Sequence, residues 1–346
     1  MRAEETTAVT SISLGLCLLL LAGAMNGSFT LPMKFTRRWA WENTWLAWTL
    51  FALVLFPPLL ASFTIPSLGQ VYAQAGPTPI ATVAACGAGW GVAQVFFGLA
   101  VDAVGMALAF SVILGLSAAV GSLIPLVRFH PEKILTTGGL VVISGVALVL
   151  VGIAVCAVAG RKREAALGQG PVGKPSVTKG LTFCLLSGLG SALVNFGLAF
   201  GGPLIAAARQ AGAAPLWAPN AVWLPLMCAG AVPNLLYCLY LLARNHTGAR
   251  FGASDTSSYW ALAMLMAFFW FGSTVMYGVA TVKLGELGTV LGWPLFMTLI
   301  VITATVWGVV TGEWKSSGRR PLLWMSAGVL ILVLAVFVLS AATRMM

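Results

Sequence analysis

The sequence predicts an all-α integral membrane protein with ten transmembrane helices in two inverted five-helix repeats. Three observations lead to this prediction: the composition, the number of long apolar segments, and one polar stretch that divides them equally. The 346 residues are 59% hydrophobic and 8% charged, whereas about a quarter of the residues in soluble domains are charged. Because about 20 apolar residues cross one bilayer, this chain is long enough for about ten crossings.

The long apolar segments are bounded by charged or turn residues. Such uninterrupted segments favour helices over barrel strands, which alternate over about ten residues. The ten predicted spans lie at 11–33, 44–64, 79–101, 104–127, 134–159, 179–203, 216–242, 258–281, 287–311 and 320–342.

A basic, Gly/Pro-rich stretch separates the first five spans from the last five. We therefore predict a first repeat at 1–159, a cytoplasmic linker at 160–178 and a second repeat at 179–346. Glycines recur between the halves: Gly15 and Gly23 match Gly180 and Gly188 at an offset of 165, and Gly98 and Gly105 match Gly278 and Gly285 at an offset of 180. An odd number of helices per repeat places the two repeats in opposite orientations, as in many secondary transporters.

The distribution of cations predicts the orientation. Loops after odd-numbered spans, with their flanks, hold thirteen Lys and Arg, and the opposite side holds six. Since cytoplasmic loops carry the excess of cations, both termini are predicted to be periplasmic, in a bacterial inner (plasma) membrane. The net charge of +10 is then a consequence of membrane topology, and we predict no nucleic-acid partner.

The sequence contains no motif for enzymatic chemistry or nucleotide hydrolysis. It lacks HExxH, a nucleophile elbow and a Walker loop, and its two histidines, His130 and His246, are far apart in predicted loops. The six cysteines lie in apolar segments without a CxxC pair, which is typical of small buried residues. We therefore predict no catalytic residue, no metal and no cofactor.

Polar and aromatic residues within the spans are the candidates for a substrate site. Trp90 and Gln94 lie four residues apart on one helical face, where an indole can contact the apolar face of a sugar and an amide its hydroxyls. An amide in lipid can equally serve as an interhelical hydrogen-bond partner. The predicted substrate-binding residues are Asn26, Trp90, Gln94, Asn195, Trp270, Tyr277 and Trp293, whereas Trp39, Trp41, Trp45, Trp260, Trp314 and Trp324 are interpreted as interfacial anchors.

Glu286 is the predicted proton-coupling residue. It begins a Gly-rich segment containing Gly292 and Pro294, and a helix broken in its middle would suit the wall of a cavity. The alternative is a simple interfacial ion pair with Lys283, three residues earlier.

Several motifs resemble those of one family. Leu31-Pro-Met-Lys34 and Trp39-Ala-Trp41-Glu42-Asn-Thr-Trp45 resemble the first cytoplasmic loop of the L-rhamnose/proton symporter family, a branch of the drug/metabolite transporter superfamily. Gly87-Ala-Gly-Trp90-Gly91, Phe97-Gly98-Leu99 and Gly105-Met106 resemble its third and fourth helices. Glu313-Trp314-Lys315 and Gly318-Arg319-Arg320-Pro321 resemble the loop before its last helix.

The resemblance spans the whole chain and implies a function. It implies secondary active import of a monosaccharide, L-rhamnose or a related deoxyhexose. Import would occur by proton symport, with protons as the coupling ion and alternating access between inverted repeats. Two alternatives remain at this point: a metabolite or drug exporter of the same superfamily, and a membrane-embedded enzyme or sensor. Oligomeric state is not predicted.

Overall fold

The structure, a computed structural model, describes residues 2–168, 177–343 and 345. These residues form α-helices with short 3₁₀ turns and one π-helical segment, and they contain no strand. The helices are α1 Arg2–Ser28, α2 Trp41–Thr49, α3 Phe56–Thr64, α4 Leu68–Ala75, α5 Pro77–Val104, α6 Met106–Phe129, α7 Thr137–Ala166, α8 Val177–Ser191, α9 Leu193–Phe200, α10 Gly202–Gln210, α11 Asn220–Asn245, α12 Ser257–Leu284, α13 Gly288–Val310 and α14 Arg319–Ala342.

Nine helical segments within the described ranges are long and apolar enough to cross a membrane, judged by length and composition. One of them, Ser257–Val310, has 54 residues and contains the predicted spans eight and nine. At 1.5 Å per residue, such a helix would be about 80 Å long, far more than the roughly 30 Å of a bilayer core. The chain turns inside this segment at Gly285, whose φ of +76° favours glycine.

Two predicted spans are less regular than expected. The second is α2, a π-helical segment at Leu50–Leu55 and α3. Pro57 and Pro58 follow this segment and lack the N–H groups that an α-helix needs. The sixth span is divided into α8 and α9, and the short helices α4 and α10 form where only loops were predicted.

The predicted linker is shorter in the structure. Helix α7 continues to Ala166, so that residues 160–166 are helical. Residues 169–176 of the linker lie outside the described residues.

The prediction that the ninth span is broken in its middle is wrong. Helix α13 continues through Pro294, which cannot donate to the carbonyl of Val290 four residues earlier. Ser122 of α6 donates its hydroxyl to Val290 O at 2.6 Å instead. A hydroxyl from a neighbouring helix thus satisfies the carbonyl that the proline leaves free.

Helices from the two halves of the chain pack closely together. Helix α1 contacts α12 and α13, and α8 with α9 contacts α5 and α6. Helix α7 packs along α14, and α5 along α11. Most buried apolar side chains form one large cluster shared by both halves.

Loops after odd-numbered spans meet on one face of the protein, which we call the odd-loop face. The indole Nε1–H of Trp39, after the first span, donates to Arg250 O, after the seventh, at 3.1 Å. Lys34 forms an ion pair with Glu313, after the ninth span. The first and last motifs of the family resemblance are therefore in contact.

Connections after even-numbered spans meet each other as well. Gln74 of α4 donates to Gln210 of α10. Lys133, after the fourth span, lies 3.4 Å from Glu286, after the eighth. Each of these contacts thus joins loops that the predicted topology places on the same side.

Candidate substrate site

Most of the predicted site residues lie in two interior groups. The first contains Trp90 and Trp270, with Asn26 beside it and Gln94 one helical turn after Trp90 on α5. The second contains Asn195, Tyr277 and Trp293, about two helical turns along α12 from the first. Glu286 belongs to neither group.

The first group is built around two stacked indoles. Trp90 of α5 and Trp270 of α12 have ring centroids 5.2 Å apart and an interplanar angle of 22°. Trp90 is 4% exposed, and Trp270 is half-buried. Both residues were predicted to bind the substrate, and the structure stacks them on each other.

Glycines set the position of Trp90. A Cβ added at Gly87 would lie 1.9 Å from the carbonyl oxygen of Leu226, and one added at Gly91 would lie 2.4 Å from the carbonyl oxygen of Gly230. Since only glycine permits this approach, α5 and α11 cross with their backbones in contact, as small residues allow in membranes. The ring of Trp90 then covers Gly230 on α11.

Three further tryptophans continue from this pair toward the odd-loop face. Trp48 lies 5.2 Å from Trp270, Trp45 lies 4.6 Å from Trp48, and Trp41 lies 5.1 Å from Trp45, measured between ring centroids. We call the series Trp41, Trp45, Trp48, Trp270 and Trp90 the tryptophan path.

Three members of this path were missed in the sequence prediction. Trp41 and Trp45 were interpreted as interfacial anchors and Trp48 was not considered. Trp48 is buried and Trp45 is half-buried, whereas Trp41 is exposed at the end of the path, as an interfacial anchor would be. Their spacing of four and three residues places them on one face of α2. This helical periodicity is the feature of the sequence from which their common face could have been predicted.

Asn26 lies close to the stacked indoles, and Gln94 lies one helical turn after Trp90. Asn26 of α1 donates its side-chain N–H to Ser273 Oγ at 2.8 Å, and Ser273 donates to the carbonyl of Trp270 at 2.6 Å. Gln94 is half-buried on the same helix as Trp90. Within the described residues, the side chain of Gln94 forms no hydrogen bond.

The second group is a closed hydrogen-bond network around Asn195. Its amide N–H groups donate to Gly121 O at 2.7 Å and to Thr289 O at 3.0 Å. Pro125, four residues after Gly121, leaves that carbonyl without its helical partner. Tyr277 donates its hydroxyl to Asn195 Oδ1. Both amide hydrogens and the oxygen of Asn195 are therefore engaged by protein groups.

Trp293 completes this second group from α13. Its indole N–H donates to Ser117 O at 3.0 Å, and its ring centroid lies 5.5 Å from that of Tyr277. Trp293 is 3% exposed and Tyr277 is fully buried. The second group joins α6, α9, α12 and α13 in the interior.

Glu286 lies at the surface. Its side chain is 80% exposed and pairs with Lys133 at 3.4 Å, not with Lys283 as the alternative interpretation supposed. A surface ion pair of this kind contributes little to stability. Its role in proton coupling stays a prediction.

Possible metal ligands do not gather in the part of the chain that the structure describes. No three His, Cys, Asp or Glu side chains lie close enough together to hold an ion there.

Comparison with known proteins identifies the family. Residues 8–343 match the family described as L-rhamnose-proton symport protein (RhaT). The chain is 27% identical over 333 residues to a protein of Mannheimia succiniciproducens named L-rhamnose-proton symporter, with 94% of this chain and 96% of the relative aligned. It is 26% identical over 332 residues to a Salmonella gallinarum protein of the same name, with the same coverage. With a match over nearly its full length, this chain belongs to the L-rhamnose-proton symport protein family.

Proposed function

We propose that this protein imports L-rhamnose or a related deoxyhexose together with protons across the bacterial inner membrane. The observation that carries the proposal is the family match over residues 8–343, supported by two full-length relatives named as L-rhamnose-proton symporters. Protons are the coupling ion in this proposal, as the family implies.

The first group of the candidate site suits a deoxyhexose. A 6-deoxy sugar has an apolar ring face and a methyl group, which pack well against indoles, and hydroxyls that need hydrogen-bond partners. The half-buried ring of Trp270, supported by the stacked ring of Trp90, supplies the aromatic surface, while Gln94 and Asn26 supply amides beside it. We place the sugar here, with Asn195, Tyr277 and Trp293 holding the surrounding helices.

We infer that the two halves are repeats related by inversion. Helix α5 at Pro77–Val104 and α12 at Ser257–Leu284 both have 28 residues, and their bounds differ by the offset of 180 found in the sequence. Each ends at a glycine of positive φ, +83° at Gly105 and +76° at Gly285.

The packing of the helices supports the same inference. The contacts of α1 with α12 and α13 correspond, after exchange of the halves, to the contacts of α8 and α9 with α5 and α6. Trp90 and Trp270 also differ by 180 and stack on each other. Residues related by a two-fold axis touch only near that axis, where inverted-repeat transporters bind their substrates.

This arrangement leads to ten crossings and alternating access. Helices α12 and α13 then cross separately, the odd-loop face is cytoplasmic, and both termini are periplasmic. Fusions of alkaline phosphatase and of a fluorescent protein to the C-terminus test the orientation. Phosphatase activity without fluorescence is expected, and the reverse result would invert the topology.

Transport in proteoliposomes tests the function. Purified protein is reconstituted in vesicles, and uptake of labelled L-rhamnose is measured with and without an inward proton gradient. Accumulation that collapses with a protonophore is expected. Uptake of an amine instead of any monosaccharide would contradict the proposal and support the alternative, a metabolite or drug exporter of the same superfamily.

A further inference from the structure

Among the described residues, Trp48 is the one indole of the tryptophan path whose N–H is fully buried without a hydrogen-bond partner. Trp48 is 1% exposed, and its Nε1–H meets no acceptor among the described residues. A buried donor that has lost water without gaining an acceptor is unfavourable. A ligand that brings an oxygen to this position would remove the penalty.

The neighbouring indole, Trp45, does have an acceptor. Trp45 donates its Nε1–H to Asn234 Oδ1 at 3.1 Å, and Asn234 donates to Gly230 O at 2.9 Å. The indole of Trp45 and the amide of Asn234 are therefore paired within the protein, whereas the N–H of Trp48 is not. Only two residues after Trp48 the chain enters the π-helical segment Leu50–Leu55, a local distortion often found at functional sites.

The position of Trp48 connects the stacked pair with the surface. Its ring lies between those of Trp45 and Trp270, at 4.6 and 5.2 Å. Trp45 and Trp270 are half-buried, and Trp41 at the end of the path is 38% exposed. Trp48 therefore lies between the proposed sugar site at Trp90 and Trp270 and the odd-loop face.

We propose that Trp48 contacts the substrate and helps to determine its specificity. Its Nε1–H donates a hydrogen bond to a hydroxyl oxygen of the sugar, while the apolar face of the sugar packs on the adjoining indoles. The ligand class is a neutral pyranose with at least one hydroxyl acceptor beside an apolar face. This inference rests on the proposed function and adds a residue to the same site.

Two matched substitutions test it. Trp48→Phe removes the N–H and keeps an aromatic ring. Trp223→Phe is the control, because Trp223 is also 1% exposed with an unpaired Nε1–H but lies outside the tryptophan path. Affinity for L-rhamnose is measured by titration calorimetry on purified protein, and thermal unfolding is measured without sugar.

Trp48→Phe should weaken L-rhamnose binding roughly three- to tenfold, the worth of one neutral hydrogen bond. Trp223→Phe should leave the affinity unchanged. The thermal midpoints of the two variants should shift alike, since each loses the same buried group.

Analogues of L-rhamnose that each lack one hydroxyl sharpen the test. For one analogue, the wild type should have a lower affinity than it has for L-rhamnose. The Trp48→Phe variant should have the same affinity for this analogue and for L-rhamnose, because the variant lacks the N–H that the missing hydroxyl would bind. If Trp48→Phe does not fold, Trp48→Tyr replaces it. The tyrosine hydroxyl does not occupy the position of the indole N–H, so that a similar loss of affinity for L-rhamnose is expected.

The possible failures are distinguishable. Equal affinity of the wild type and the Trp48 variant for L-rhamnose would overturn the role of Trp48 and leave the proposed function intact. A wild-type protein that binds no monosaccharide would overturn the proposed function, and this inference with it.

Discussion

The close crossing of α5 and α11 predicts that glycine-to-alanine substitution lowers thermal stability at one position of α5 and does not lower it at another. Gly87→Ala places a Cβ 1.9 Å from Leu226 O, where at least about 3 Å is needed, whereas Gly98→Ala on the same helix meets nothing within 4 Å. The first change therefore separates the two backbones by about 1 Å. Both variants gain helix propensity of about 0.5–1 kcal/mol, so the difference between them is the packing term alone.

That packing term is about 1–3 kcal/mol for overfilling a well-packed interior. When thermal unfolding is measured in one detergent, the midpoint temperature of Gly87→Ala should lie below that of the wild type, and the midpoint of Gly98→Ala should equal or exceed it. Sugar affinity should fall in Gly87→Ala, because Trp90 is three residues further along α5, and should be unchanged in Gly98→Ala. Equal thermal midpoints for the two variants would refute the backbone contact between α5 and α11.

Three further substitutions separate binding, structural and coupling roles. Trp90→Ala should weaken sugar binding by about 1–3 kcal/mol, by analogy with bases stacked on aromatic rings, and calorimetry against the control Trp324→Phe measures it; unchanged affinity in the folded variant would remove Trp90 from the site. Asn195→Ala should lower the free energy of unfolding by about 1–3 kcal/mol because buried carbonyls lose their donor, while affinity stays nearly constant; loss of affinity with normal thermal stability would place Asn195 at the sugar. If the predicted coupling role holds, Glu286→Gln abolishes accumulation in proteoliposomes and preserves sugar exchange, whereas continued accumulation would leave Glu286 as a surface partner of Lys133.

Composition and periodicity determined most of the architecture. Apolar segments of about 20 residues must form helices in lipid, because no water is present to satisfy the backbone, and nine helical segments of this kind are found in the described residues. The family resemblance, drawn from motifs around Lys34, Trp90 and Glu313, is confirmed by the match over residues 8–343. Segment lengths and local motifs suffice for these conclusions.

Only the tertiary structure decided which polar and aromatic residues have partners. A single sequence marks Asn195 and Gln94 alike as amides in lipid, yet Asn195 is engaged by three protein groups while Gln94 has none among the described residues. Likewise, Trp45 and Trp48 are both indoles of α2, but only Trp45 meets an acceptor. Hydrogen bonding depends on atoms brought within about 3 Å by other helices, and that proximity is set by how the helices cross.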